Sequence, residues 1–164
     1  MNPKSNPLKL VFIIAFFSAA LTISLLSCKH EPGGGCDREK AQSRHNDHES
    51  HNMGLNCMNC HHTNGPGEGC FIVAGTVYDS LNNRTKSNGT IKIFTGPNGT
   101  GTLKATIEVD SKGNFYSSET LNFMEGMYPA AIGTGGDVKY MTSPVYTGQC
   151  NSCHRVSTNG IWVK

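Results

Sequence analysis

Two short stretches of the chain carry the same reactive pattern, Cys-x-x-Cys-His, at residues 57–61 and 150–154. Thiols three positions apart lie on one turn of chain, so both can form thioether bonds to the vinyl groups of a porphyrin. The histidine that follows can then present its imidazole to the iron from the same side. This spacing is the attachment motif of c-type haem. The sequence therefore predicts two covalently attached c-type haems.

Two other uses of paired cysteines compete with haem. A zinc ribbon also carries two Cys-x-x-Cys pairs, but these are usually about 15 to 20 residues apart, whereas a stretch of domain size separates Cys60 from Cys150. Cysteines of exported chains also commonly form disulfides, yet a disulfide framework gives no role to a histidine after each pair. We therefore favour haem and keep structural zinc and disulfides as alternatives.

The two motifs make the chain resemble the exported multihaem c-type cytochromes. The resemblance covers only the motifs and their flanks, and the helices of a compact cytochrome c fold are not indicated. It implies an electron-transfer role with redox partner proteins. It also implies the haem-bound cysteines and proximal histidines, which are Cys57, Cys60 and His61 for the first haem and Cys150, Cys153 and His154 for the second.

The ligand on the opposite face of each iron decides between an electron carrier and an enzyme, because an iron with an open position binds and activates small molecules. His51 lies shortly before the first motif, and Gly54 allows the chain to turn back, so His51 is the first candidate for either haem. Met141 lies before the second motif and is a candidate ligand for that haem. A methionine that only packs in the core at the end of a strand is an equally good interpretation. Both assignments stay open, as do those of His45 and His48, and of His62 to the second haem.

The amino-terminal residues 1–27 have the layout of an export signal, with two lysines followed by an apolar run at 10–26. Leu-Leu-Ser-Cys at 25–28 resembles the bacterial lipoprotein box, in which the signal is cleaved before the cysteine and acyl chains are attached to it. More than one acyl chain gives a stable anchor. We expect a protein held through Cys28 on a bacterial membrane, facing the periplasm or the cell exterior, with an uncleaved helical anchor as the alternative.

The net charge argues against a nucleic-acid partner. Lys4 and Lys9 lie in the signal, so the 14 Lys and Arg residues of the whole chain fall to 12 after cleavage and equal the 12 Asp and Glu residues. Nucleic-acid-binding domains usually carry a basic excess. We therefore predict no nucleic-acid binding.

Residues 70–146 consist of short apolar runs between turn residues. Ile91 and Ile93 alternate with Lys92, which is the period of a half-buried strand, and Asn-Gly and Gly-Gly pairs separate the runs as in tight hairpin turns. The predicted strands are 71–78, 91–95, 103–109, 114–117 and 128–132. The fold class we predict is mainly β, a small antiparallel β-sandwich flanked by two irregular haem-binding segments.

Three of these runs resemble the carboxypeptidase-regulatory-like, prealbumin-like β-sandwich. They are 73–79 (VAGTVYD), 89–94 (GTIKIF) and 109–116 (VDSKGNFY). The family implies a rigid scaffold with no fixed activity, so the function has to be argued from the sites.

The chain thus divides into a signal at 1–27, a flexible tether at 28–44, a first haem-binding segment at 45–69, the sandwich at 70–146 and a second haem-binding segment at 147–164. Cys36 and Cys70 flank the first segment and either form a disulfide or remain separate thiols. If both ends of the sandwich lie close together, the haems form one unit.

The function we predict is electron transfer outside the cytoplasm by a membrane-anchored di-haem cytochrome. A di-haem enzyme of the peroxidase type with one open iron position is the alternative, and a non-redox binding sandwich with structural zinc is a weaker one.

Overall fold

The computed structural model describes Cys36 and residues 40–164. In this part of the chain the helical pieces are four 3₁₀ turns of three residues each. The remaining regular structure is eight strands: β1 (Val73–Tyr78), β2 (Thr90–Phe94), β3 (Leu103–Glu108), β4 (Asn114–Ser117), β5 (Tyr128–Ile132), β6 (Val138–Tyr140), β7 (Gly148–Gln149) and β8 (Ile161–Trp162). The described chain is mainly β, as predicted.

The strands form two sheets of four. The second sheet has the order β3-β2-β5-β6 and is antiparallel throughout. In the first sheet β1 is central, with β4 antiparallel to it and β7 and β8 both parallel to it. Val73 pairs with Gly148, and Val77 pairs with Ile161. The first strand therefore takes its parallel partners from the last part of the chain.

The hydrophobic core lies between the sheets. Val73, Val77 and Phe115 of the first sheet are almost fully buried and belong to one cluster with residues of the second sheet. Ile91 and Ile93 are the buried members of β2, whereas Lys92 between them and Thr90 and Phe94 at the ends are partly exposed. This is the alternation that the sequence predicts for a sheet with one face against a core.

The five predicted strands correspond to β1 to β5. The three strands that the sequence analysis missed are β6, β7 and β8, which are two or three residues long. Such short strands cannot show a period of two, so sequence pattern carries no signal for them.

Residues 147–164 do not form a separate segment beside the sandwich. They supply β7 and β8, so the second motif is an excursion between two strands that both pair with β1. All six residues of β1 are buried. One face of β1 lies on the core and the other lies under the chain that carries the motifs, which explains the absence of alternation in this strand.

The first polar segment is ordered along the same sheet by hydrogen bonds. Ser118 N donates to Ala41 O at 2.8 Å, Ser43 N donates to Tyr116 O at 3.0 Å, and Ser111 N donates to Asp47 O at 2.9 Å. Residues 41–44 are therefore bound to the sheet rather than part of the predicted tether. Backbone hydrogen bonding supplies the order that the small apolar content of this segment does not.

The predicted signal at 1–27 and the predicted lipidation site, Cys28, lie outside the described residues. Within the described part, no helix has the length and apolar character needed to cross a membrane.

Candidate functional site

The first Cys-x-x-Cys-His motif begins in a 3₁₀ turn, Cys57–Asn59. The side chain of Asn56 caps this turn by accepting a hydrogen bond from Met58 N. Cys60 N and His61 N both donate to Cys57 O, at 3.1 and 2.9 Å. The turn therefore places both cysteines and the histidine on one tight piece of backbone.

The second motif has the same backbone hydrogen bonds. Its 3₁₀ turn is Cys150–Ser152, and Cys153 N and His154 N both donate to Cys150 O, at 3.3 and 3.0 Å. The first thiol of each motif also points to the carbonyl two residues before it. Cys57 Sγ lies 3.7 Å from Leu55 O, and Cys150 Sγ lies 3.5 Å from Gly148 O. Two separate stretches of sequence thus adopt one local structure.

Each motif histidine is held by its Nδ1 atom. His61 Nδ1 lies 2.8 Å from Glu68 O, and His154 Nδ1 lies 2.7 Å from Asn159 O. A carbonyl oxygen can only accept, so Nδ1 carries the proton in both rings and the neutral imidazole keeps its lone pair on Nε2. This is how proteins orient a histidine that binds a metal through Nε2.

Aromatic rings and burial define the surroundings of His61. Its ring stacks on Phe71 at 4.2 Å between centroids, and Phe71 stacks on Tyr116 at 4.7 Å. Burial lowers the pKa of His61, and the hydrogen bond to Glu68 partly offsets this effect. A lowered pKa keeps the imidazole neutral at neutral pH, which metal binding requires.

His51 lies beside His61, as a second ligand for the first haem would. The two ring centroids are 5.9 Å apart and the ring planes are tilted by 39°. The two imidazoles are close neighbours, and His51 would be the second residue to hold a haem bound through His61. This role of His51 stays a prediction.

The two motif turns are adjacent and hydrogen-bonded to each other. Asn56 Nδ2 donates to Gln149 Oε1 at 3.0 Å, which joins the residues that immediately precede the first cysteine of each motif. Asn151, inside the second motif, donates to Leu55 O at 2.9 Å. The condition for a single di-haem unit, that the motifs lie close together, is met in the structure.

Strand β1 lies beneath both turns. Thr76 of β1 is fully buried, and its hydroxyl accepts from Gly54 N and from Asn151 Nδ2 and donates to Asn114 Oδ1. Gly75 allows the second turn to approach, because a Cβ atom there would lie 2.9 Å from the Cβ of Cys150. The sheet is thus the common platform of the two motifs.

The cysteines of the motifs differ in state and burial. Burial raises the pKa of Cys57, and burial raises the pKa of Cys150 to about 12, whereas Cys153 is exposed. These three are free thiols. Cys60 is instead disulfide-bonded, which differs from the predicted thioether at this position. A thioether forms from a thiol, so haem attachment at the first motif requires this disulfide to be reduced.

Cys36 and Cys70 form a disulfide. This is one of the two alternatives that the sequence left open. Cys36 Sγ also contacts Thr63 Oγ1 at 3.1 Å. The disulfide closes the loop that carries the first motif, and Gly67 folds that loop back so tightly that a Cβ atom there would lie 2.9 Å from His61 Cγ.

The remaining candidate ligands lie elsewhere or are engaged. Met141 continues the edge strand β6 of the second sheet, where its N–H bonds to Pro129 O, whereas the second motif lies on the first sheet. No described contact joins Met141 to that motif, and its role as a ligand stays a prediction. His45 Nε2 bonds to Gly89 O, and His62 Nδ1 bonds to Thr63 O.

The residues present fit a haem better than an isolated metal ion. Within residues 40–164 and Cys36, no three His, Cys, Asp or Glu side chains are grouped as a metal site. A haem iron needs only one or two ligands from the protein, since the porphyrin supplies the others. At the second motif, two thiols and an oriented histidine are a complete set for one haem, and the first motif has the same set once the disulfide of Cys60 is reduced.

No protein-family model matches this chain, and a search of the curated proteins and of the solved structures found no significant similarity. The resemblances to multihaem cytochromes and to the carboxypeptidase-regulatory-like sandwich therefore stay predictions.

Sequence reasoning missed the residues that join the motifs. Asn56, Gln149, Asn151 and Thr76 are ordinary polar residues in sequence, and nothing in their spacing links them. In sequence, Asn151 is only one of the two unspecified positions of the second motif, and its burial, at 3% exposed, is known from the structure alone. A buried asparagine must have hydrogen-bond partners, but sequence does not tell which.

Proposed function

We propose that this protein is a di-haem c-type cytochrome, anchored through Cys28 to a bacterial membrane, that transfers electrons between redox partner proteins outside the cytoplasm. One observation carries the proposal: both motifs adopt the same turn, and in both a backbone carbonyl holds Nδ1 of the histidine so that Nε2 is available. Structural zinc held by paired cysteines, or disulfides alone, would not require this orientation in either histidine.

The roles of the residues follow from their positions. Cys57 and Cys60 attach the first haem and Cys150 and Cys153 attach the second, with His61 and His154 as the proximal ligands. When bound, haem supplies an iron that gains and loses one electron reversibly. The protein holds each histidine in one tautomer. It also stacks Phe71 on one face of the His61 ring, which limits access of water to the imidazole.

Adjacency of the motifs favours electron transfer over two independent functions. The bond between Asn56 and Gln149 and the bond from Asn151 to Leu55 O keep the two attachment turns together. An electron accepted at one site therefore has the other site as its nearest acceptor within the same molecule. A protein of this kind can connect two partners that bind at different faces.

The peroxidase-type alternative has one specific observation in its favour. His51 lies beside His61, but no second aromatic or imidazole ring packs on His154 in the described part of the chain. A second iron with an open position would bind carbon monoxide and peroxide. Carbon monoxide binding by one of the two reduced haems would support the enzyme, and its absence would support the electron carrier.

The first experiment is the intact mass of the membrane-expressed protein with its reduced spectrum in alkaline pyridine. We expect two covalent haems in the unaltered protein and one in each of Cys57→Ser/Cys60→Ser and Cys150→Ser/Cys153→Ser. Ser152→Ala, which changes a variable position of the second motif, should keep both haems. Bound zinc or intact disulfides with no haem would contradict the proposal.

The membrane anchor is tested separately. In the unaltered protein we expect a mass that lacks residues 1–27 and includes the acyl chains, and Cys28→Ala should lose the acyl mass and keep the signal, because cleavage is coupled to lipid attachment at this residue. An unaltered protein that carries no acyl mass and still retains residues 1–27 would show that a helix rather than lipid holds the protein.

A further inference from the structure

One side chain of the second motif reaches into the first. Asn151 lies between Cys150 and Ser152, is 3% exposed, and makes three hydrogen bonds. Its Oδ1 accepts from Thr76 N at 3.2 Å, and its Nδ2 donates to Thr76 Oγ1 at 3.0 Å and to Leu55 O at 2.9 Å. Both the oxygen and the nitrogen of the side-chain amide are thus hydrogen-bonded.

The bond to Leu55 O places Asn151 next to the first attachment thiol. The same carbonyl is the one that Cys57 Sγ approaches at 3.7 Å. Asn151 and Cys57 therefore share one acceptor, and the amide fixes the direction of that carbonyl. Thr76 Oγ1 extends the link, since it also accepts from Gly54 N in the chain that leads into the first motif.

This link differs from the other contact between the motifs. Asn56 and Gln149 are each partly exposed, so water can replace their bond at little cost. The two bonds between Asn151 and Thr76 are buried, and the bond to Leu55 O is partly buried. Their loss would leave Thr76 N, inside the protein, without the acceptor that Asn151 supplies, which is more costly. Asn151 is therefore the contact that makes the position of the first motif depend on the second.

We propose that Asn151 is the positioning residue that locks the first attachment turn to the second, so that the two haem sites form one rigid pair. The inference rests on the proposed function, because the paired groups are the two haems. Asn151 does not itself bind haem. It acts through Leu55 O and Thr76, which belong to the first segment and to β1.

The test compares Asn151→Asp with Ser152→Ala in the full chain. Aspartate has the shape of asparagine and can still accept from Thr76 N, but it presents an oxygen to Leu55 O and cannot donate to it. The described bonds of Ser152 Oγ stay within residues 149–153, at Gln149 O and near Cys153 Sγ. Ser152→Ala is therefore a matched change at the neighbouring variable position.

The first readout is amide hydrogen exchange by mass spectrometry. We expect Asn151→Asp to accelerate exchange in the peptide 52–60 by about fivefold or more, the effect of losing one buried hydrogen bond. Exchange in β2 and β5 of the second sheet should not change, which excludes general destabilisation. Ser152→Ala should leave exchange in 52–60 unaltered.

The second readout is the visible circular dichroism of the haem-loaded protein, in which two haems held close together give a split band. We expect Asn151→Asp to retain two haems by mass but to lose amplitude in the split band. Equal exchange in 52–60 for both variants, or an unchanged split band, would overturn the inference.

Amide exchange can be measured with or without haem. The experiment can therefore contradict the role of Asn151 without contradicting the proposed function, and the reverse. If the unaltered protein carries no haem, the proposed function fails while the exchange experiment still tests the link. If Asn151→Asp does not fold, Asn151→Ser keeps a small polar side chain that is too short to reach Leu55 O. The same local acceleration in 52–60 is then expected, and normal exchange there would again contradict the inference.

Discussion

Asn56 Nδ2 and Gln149 Oε1 are 3.0 Å apart although 93 positions separate the two residues in sequence. Each residue immediately precedes the first cysteine of a Cys-x-x-Cys-His motif. The hydrogen bond therefore joins equivalent positions of two turns that have the same local structure. It is the simplest evidence that the two motifs belong to one site.

The strength of this bond can be measured by a double-mutant cycle with Asn56→Ala and Gln149→Ala. Asn56 also caps its own turn, so the single variants include other losses, but the cycle isolates the pair. We expect a coupling free energy of about 0.5 to 1.5 kcal/mol from urea unfolding. The pair Lys104→Ala and Gln149→Ala, which lie in different sheets, should show coupling near zero. A value near zero for both pairs would contradict the contact.

The Cys36–Cys70 disulfide should stabilise the protein by closing the loop that holds the first motif. With a sequence separation of 34, loss of the bond in Cys36→Ser/Cys70→Ser should lower the free energy of unfolding by roughly 3 to 4 kcal/mol. Thr63→Ala removes only the neighbouring hydroxyl contact and should cost much less. Equal effects of the two changes, measured by denaturant unfolding, would show that the disulfide adds little.

Tyr116 should make stability decline at alkaline pH. Burial raises the pKa of Tyr116 above its usual value of 10.0, and the charge of Asp110 adds to this. The folded state therefore keeps a proton that the unfolded state releases, so stability falls as pH rises above about 10. Tyr116→Phe should remove this part of the decline, whereas Tyr146→Phe, at an exposed position, should not. The check is unfolding free energy measured from pH 8 to 11.

Gly67 should be required for the position of His61. A Cβ atom at Gly67 would lie 2.9 Å from both Cys60 C and His61 Cγ, whereas a Cβ atom at Gly135 would meet nothing within 4 Å. Gly67→Ala should therefore destabilise the protein by about 1 to 3 kcal/mol and alter the spectrum of the first haem only. Gly135→Ala should do neither. If both alanine variants load haem with unchanged spectra, the close packing seen here is not needed.

The charges around the two motifs predict unequal reduction potentials. The carboxylates of Asp110 and Glu68 act on Cys57 and on His61 of the first motif, whereas Arg155, which lies over the ring of Tyr78, follows His154 directly. Negative charge favours the oxidised iron and positive charge favours the reduced one. We expect the first haem to have the lower potential in a spectroelectrochemical titration.

Single substitutions then assign the two potentials. Arg155→Gln should lower only the higher potential, and Glu68→Gln should raise only the lower one. Arg84→Gln, a similar change near Asp79, serves as the control and should alter neither. Shifts of both potentials in parallel would show that surface charge acts on the molecule as a whole.

Local sequence pattern predicted the parts of the molecule that depend on neighbouring residues. The alternation of Ile91 and Ile93 with Lys92 identified β2, and the two cysteine spacings identified both turns. The pairing of β1 with Gly148–Gln149 and Ile161–Trp162 was not predictable, because two-residue strands have no period and depend on a partner far away in sequence. The order of residues 41–51 was missed for a related reason, since it comes from hydrogen bonds to β4 and not from apolar burial.

The candidate chemical groups were easier to name from sequence than their arrangement. Residue type and spacing identified the cysteines and His61 and His154 as candidates, because the predicted haem attachment uses atoms that lie close together in the chain. The relation of the motifs to each other depends on Asn151 and Thr76, whose partners come from different strands. Met141 was a reasonable candidate in sequence, but its strand lies in the other sheet.

The pairing of β1 also implies an order in which the contacts form during folding. Its partners β7 and β8 come from the last residues in the chain, and contacts between distant segments form late in folding. The second attachment turn is therefore held in place only when the sheet closes, and the first turn gains its contact with Asn151 at the same moment. Until then the cysteines of both motifs lie on chain that the sheet does not yet hold, so in the proposed function haem would be attached in this interval.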